Sequence, residues 1–116
     1  MISGTKFEQG EIVLVPYPFT DLSEIKNRPV LIISNNMHNV DSEDIVTCGV
    51  TSNLKNSEFS ILVDNKDIIK GSIPIKSRIK TDKIFTLKQN LVKKKIAKVN
   101  DITFEKVKQE IIKLLN

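Results

Sequence analysis

The chain has 116 residues, 40% of them hydrophobic and 5% aromatic, with no tryptophan and a formal net charge of +4. That size fits one domain, residues 1–116, with one modest core of Ile, Val and Leu, and the single cysteine, Cys48, excludes an intramolecular disulfide and suits a reducing compartment. No apolar run approaches membrane-spanning length and the opening MISGTKFEQG has no apolar signal core, so a cytoplasmic protein without membrane contact is expected.

In chain order, EIVLVP (11–16) is β-rich and partly alternating, and PVLIIS (29–34) is a continuous apolar run of strand length, which predicts burial on both faces. DIVTCGV (44–50) reads as a third strand with Cys48 as a small buried hydrophobe, and EFSILV (58–63) as a fourth. SIPIKSRIK (72–80) alternates as a fifth, with Pro74 arguing for a sheet edge. KIFTL (83–87) and LVKKKIAKV (91–99) complete the strands around the turn KQN. PFTDLSEIKN, NNMHNVDSE, SNLKNS and DNKDIIKG read as turns. Residues 100–115 differ: Phe104, Val107, Ile111, Leu114 and Leu115 fall at helical spacing, with Asn100 or Asp101 as N-cap. Six or seven short strands and one C-terminal amphipathic helix predict a mainly β (α+β) fold, a small, curled antiparallel barrel.

Charge is distributed unevenly. Residues 1–75 hold 6 Lys/Arg against 10 Asp/Glu, whereas residues 76–98 hold 9 against 1. A stretch such as KSRIKTDKIFTLKQNLVKKKIAK favours a polyanion through counterion release, with Lys93, Lys94 and Lys95 among the candidate phosphate contacts; a solvated face is the plainer reading.

Arg28 stands at the mouth of the most apolar strand, directly before Pro29. Proline drives its preceding residue into extended geometry, so this arginine has a defined direction. Thr51 and Ser52 follow the third strand. If the second and third strands are antiparallel neighbours, Arg28 and Thr51 share one rim, where a guanidinium and hydroxyls make a phosphate-oxygen clamp.

At these residues the sequence resembles the PemK/MazF family of type II toxin–antitoxin ribonucleases. The resemblance runs through GEIVLVPYPFTDLSEIKNRPVLIIS, VTSNL and SRIKTDKIFTL. It comprises Gly10–Glu11 before the first strand, Ser23–Glu24 in a loop, Arg28–Pro29, Thr51–Ser52, and the basic stretch Ile79–Lys80–Thr81. It implies an SH3-like or CcdB-like barrel, a two-fold homodimer, and metal- and cofactor-free cleavage of single-stranded RNA. It also implies a cognate acidic antitoxin whose disordered segment folds onto the toxin. Arg28 and Thr51 take the family's catalytic positions; Ser52, Ser23, Tyr17, Phe19, Arg78, Lys80 and Thr81 are the candidate substrate contacts.

RNA carries its own nucleophile, the 2′-OH, so the protein need only position the phosphate and stabilise its charge. An arginine stays protonated and suits that electrostatic role, while the residues name no general base. His38 is the only histidine, which excludes a pair of catalytic histidines in one chain, and it reads as a surface loop residue. DSED (41–44) reads as a turn, and no cluster has metal-ligand spacing. Tyr17 and Phe19 suit base stacking or loop anchoring equally. Two other classes stay open: a barrel that binds RNA without cutting it, and a gyrase-targeting toxin like CcdB.

Overall fold

The computed structural model describes residues 6–18 and 25–116, with backbone alone at 17, 18 and 25. Seven strands form one antiparallel sheet: β1 (Glu11–Pro18), β2 (Ile25–Ile32), β3 (Asp44–Thr51), β4 (Ser60–Val63), β5 (Ile68–Gly71), β6 (Ser77–Lys88) and β7 (Lys94–Val99). Their spatial order is β4-β6-β3-β2-β1-β7-β5, so the sheet curls into a half-barrel whose free edges are β4 and β5.

The apolar run of β2 explains its central place. Leu31 joins Ile12, Cys48, Val50, Val63, Ile79, Ala97 and Val99 in one core, while Val30 and Ile32 join Phe7, Val13, Val15 and Ile45 in a second. Successive strand residues point to opposite faces, and here both faces are filled within one chain. The run in β2 therefore needs no second copy to cover it. The C-terminal helix, residues Asp101–Leu115, packs on β4 and β6 and seats buried Val107, with half-buried Phe104 and Ile111, against the first core. Its N-cap is Asn100, whose side chain accepts a hydrogen bond from the Thr103 amide at 2.8 Å.

Four predicted features differ. β2 begins at Ile25, inside the predicted turn PFTDLSEIKN, so Arg28 lies within the strand and not at its mouth. NNMHNVDSE contains a short helix, α1 (Asn36–Asp41), started by the Asn35 side chain and carrying exposed His38; the C-terminal helix is α2. DNKDIIKG supplies β5 after a 3-10 turn capped by Asp64, and Gly71 ends it with φ 70° where a Cβ would lie 2.1 Å from the Ile96 carbonyl oxygen. The two strands predicted over 72–80 and 83–87 are one strand, β6, which lies inside the sheet between β4 and β3, not at its edge. Pro74 precedes it. The β3–β6 register shifts from Gly49↔Lys80 to Cys48↔Ile84, so residues 81–83 form a corner that bends β6.

Candidate active site

The β2–β3 ladder pairs Ile32 with Thr47, Leu31 with Cys48 and Val30 with Gly49. Arg28 and Thr51 each lie two residues beyond the last of these pairs, on β2 and β3 respectively. Alternation then sets Arg28, Val30, Gly49 and Thr51 on one face of the sheet. Above that face lies a cleft of about 550 Å³ lined by Arg28, Pro29, Val30, Gly49, Val50 and Thr51, with the loop residues Asn53, Lys55, Asn56 and Ser57 on one side and Lys80, Lys83 and Phe85 of β6 on the other.

Each element contributes for a local reason. Pro29 holds the backbone at Arg28 extended. Gly49 stands directly opposite Lys80 and offers no side chain, which keeps the floor open. The β6 corner brings Lys80 and Lys83 to the cleft on either side of buried Thr81. The Thr51 hydroxyl oxygen accepts from the Asn53 amide at 3.1 Å, starting the turn that carries the loop over the cleft, and its proton is left to donate. Four cationic side chains (Arg28, Lys55, Lys80 and Lys83) line the space, with no carboxylate among the described lining residues. A concave, one-signed wall of this kind focuses a positive field on an anionic ligand.

The structure thus brings Arg28, Thr51 and Lys80 together in one cleft. Ser52 is exposed and does not line it. Arg78 and Thr81 differ from the expectation that they contact substrate directly. Arg78 is buried, with Nε donating to the Leu54 carbonyl at 3.2 Å and Nη1 to Ser60 Oγ at 3.0 Å. Thr81 is fully buried, its amide and hydroxyl both donating to the Phe59 carbonyl. Ser23, Phe19 and the Tyr17 side chain lie outside the described residues.

Lys93, Lys94 and Lys95 belong to β7 and the turn before it, and none lines the cleft. Lys95 instead pairs with buried Glu11 at 3.3 Å and lies over the Phe7 ring. Glu11 also accepts from the Glu8 amide at 2.7 Å, so the Gly10–Glu11 pair serves the turn into β1. Of the basic stretch, Lys80 and Lys83 are the residues that reach the cleft. The loop residues Asn53, Lys55, Asn56 and Ser57 carry no strong sequence signal of their own; the signal available is the polar SNLKNS directly after Thr51. Cys48 lies in the core, and burial, with a smaller contribution from Asp82, pushes its thiol up to about 12. It is structural and no nucleophile.

Fold and site together define a small half-barrel with a cationic cleft at the rim of two central strands. The family model of PemK-like, MazF-like toxins of type II toxin–antitoxin systems matches residues 8–115, and the chain belongs to that family. Among solved structures, it is similar to MazE–MazF (form III) of Deinococcus radiodurans, at 17% identity and TM-score 0.76 over 94% of this chain and 95% of that one. An endoribonuclease in complex with its cognate antitoxin from a mycobacterial species matches at 19% identity and TM-score 0.74, covering 94% of each chain. The Mycobacterium tuberculosis toxin MazF-mt6 matches at 16% identity and TM-score 0.73, over 90% of this chain and 95% of that one. These likenesses establish a shared fold. No curated protein sequence matches the chain. No helix among the described residues is long and apolar enough to cross a membrane.

Proposed function

We propose that this toxin is an endoribonuclease that cuts single-stranded RNA without a metal, in the cleft between Arg28 and the 53–57 loop. The observation that carries this reading is the shared face of Arg28 and Thr51 inside a wall of cations with no carboxylate among the described lining residues. A phosphodiester fits such a wall, because each phosphate brings the charge that the wall attracts.

In the reaction, the 2′ oxygen of a ribose attacks the adjacent phosphorus and loses its proton to solvent or a base. The bond from phosphorus to the 5′ oxygen breaks, and that oxygen leaves with a proton. Charge builds on the non-bridging oxygens, where the Arg28 guanidinium offers paired donors and Thr51 one hydroxyl. Lys80 and Lys83 meet neighbouring phosphates. The products are a 2′,3′-cyclic phosphate, which opens to a 3′-phosphate, and a 5′-hydroxyl.

As the resemblance implies, the working unit is a two-fold homodimer acting in the cytoplasm on mRNA, held inactive by an acidic antitoxin. Charge complementarity supports the last point: an acidic segment and an RNA strand suit the same cationic cleft. The direct test is incubation with a mixed-sequence RNA in EDTA, with fragment ends identified by mass spectrometry. Cyclic or 3′ phosphates paired with 5′-hydroxyls are expected, and the all-deoxy strand stays intact. Fragments with 5′-phosphates, or a requirement for a divalent ion, contradict the mechanism.

A further inference from the structure

The 53–59 loop lines one side of the cleft through Asn53, Lys55, Asn56 and Ser57, yet among the described residues it has no sheet partner before β4 begins. A free loop of seven residues, most of them polar, would be a poor surface for orienting a substrate. Beyond the Asn53 amide held by Thr51 of β3, its fastenings among the described residues come from β6. Arg78 Nε donates to the Leu54 carbonyl, and Arg78 Nη1 donates to Ser60 Oγ, which in turn donates to the Ser57 carbonyl at 2.7 Å. Thr81 gives the Phe59 carbonyl both its amide and its hydroxyl. That carbonyl belongs to the one non-glycine residue of positive φ among the described residues, Phe59 at 56°, a conformation that persists only where its surroundings hold it. Lys80, between the two, donates to Ser57 Oγ at 2.7 Å while lining the cleft.

Arg78 is itself unusual. It is a buried guanidinium whose partners are a carbonyl and a hydroxyl, with no carboxylate in ion-pair distance among the described residues. Burying such a charge is costly unless its hydrogen bonds are well placed. Stability alone does not call for it, since an apolar residue would fill the same space. What the guanidinium adds is a fixed fork that holds the loop at the Leu54 carbonyl and, through Ser60 at the start of β4, at the Ser57 carbonyl.

We infer that Arg78 and Thr81 are positioning residues: a clamp on β6 that holds the 53–59 wall against Arg28 and so sets which RNA sequences are cut, without either side chain touching RNA. The catalytic half of this inference rests on the ribonuclease reading. The mechanical half stands on the hydrogen bonds alone, and the two are separable by experiment.

Four variants separate the possibilities: Arg78→Met, Arg78→Lys, Thr81→Val and Thr81→Ser. Hydrogen exchange of the full chain is followed by mass spectrometry over residues 53–59 and, as a control, over β3. The clamp predicts exchange in the loop about ten- to hundredfold faster in Arg78→Met and Arg78→Lys, the scale of losing hydrogen bonds to a charged donor. Thr81→Val behaves likewise and Thr81→Ser stays near wild type. β3 stays protected in all four. On mixed-sequence RNA, the loosened variants cut at more sequences than wild type, while the salt dependence of binding keeps its slope because the same phosphates are still neutralised. Unchanged loop exchange in Arg78→Met overturns the clamp, as does exchange that rises equally in β3. A lowered salt slope in Arg78→Met that Arg78→Lys restores also overturns it, since that marks direct binding of a phosphate by Arg78. If the wild type cuts no RNA, the ribonuclease reading fails and the exchange result alone decides the clamp.

Discussion

Arg28 and Thr51 lie on adjacent antiparallel strands, each two residues beyond the Val30–Gly49 pair, and both line the same cleft. The relationship is fixed by register. Val30 and Ile32 pack into one core and Leu31 into the other, so a slip of one residue would send every apolar side chain of β2 into the core shaped for its neighbours. The packing that stabilises the sheet therefore also sets the distance between guanidinium and hydroxyl.

Salt dependence distinguishes the two groups of lysines. Replacing Lys55, Lys80 and Lys83 by Gln is expected to flatten the plot of log affinity against log salt by about 0.7 for each phosphate no longer neutralised. The same change at Lys93, Lys94 and Lys95, which lie away from the cleft, leaves the slope as it is. Fluorescence anisotropy with a non-cleavable RNA at several salt concentrations gives both values. Equal flattening by the two triples would return the whole basic stretch to the binding surface.

Gly49 provides a test of cleft shape that spares the charges. A Cβ there meets only Lys83 Cβ at an ordinary 3.6 Å, so the backbone accepts a side chain. Gly49→Val is expected to change folding stability by no more than about 1 kcal/mol, since a β-branched residue suits a strand. It fills the floor between Val30 and Lys80, and RNA cleavage falls at least about tenfold, the usual cost of misplacing a substrate. Thermal unfolding and initial cleavage rates on the same samples decide it; full activity would place the RNA elsewhere.

How far the sequence foretold this arrangement follows from how each signal arises. Apolar runs announce central strands, so β1, β2 and β3, and with them the convergence of Arg28 and Thr51 on one cleft, were legible. Helix α2 was legible from its spacing and its Asn100 cap. Elements fixed by single polar groups were not. Helix α1 is six residues long, and its buried side chain is Asn39, which bonds Ser34. Strand β5 has too few residues to show a period. The direction of Arg78 and Thr81 was equally hidden, because a basic strand reads as a binding surface until the neighbouring loop is placed over it. The β6 corner at 81–83 breaks the alternation that would otherwise assign each side chain to a face. The apolar run of β2 gives no support to a dimer, both faces being filled within one chain, and the dimer stands on the family likeness alone.

Cys48 supplies a pH-dependent check on the core. Its folded thiol titrates at about 12, against about 8.5 in an unfolded chain. A raised pKa in the folded state adds stability that is complete below the unfolded value and is lost as pH rises through the folded one. Iodoacetamide at pH 8 is therefore expected to leave the native chain unlabelled and to label it fully in denaturant. The part of the stability lost between about pH 8.5 and 12 that comes from the thiol is absent in Cys48→Val. Rapid native labelling would contradict the buried placement.

Competition tests the proposed control by an antitoxin. An acidic peptide that occupies the cationic cleft is expected to raise the apparent Kd for a non-cleavable RNA in proportion to its own concentration. Lys55, Lys80 and Lys83 changed to Gln weaken both ligands together. Independent binding, with RNA affinity unaffected at saturating peptide, would locate the antitoxin on another face.

The most direct test of the central claim is the single-turnover cleavage rate of Arg28→Ala, measured in EDTA beside the wild type, Arg28→Lys and Thr51→Val. Arg28 lies within β2, opposite Val15 of β1, half-buried and outside both core clusters, so its loss leaves the fold intact. The rate is expected to drop roughly 100-fold or more, as when one preorganised donor to a developing oxyanion is removed. Arg28→Lys recovers little of it, because a point charge does not reproduce the planar fork, and Thr51→Val is slowed with its melting temperature unchanged. Cleavage by Arg28→Ala at the wild-type rate would show that the phosphate is not activated at this rim and that the reaction takes place elsewhere.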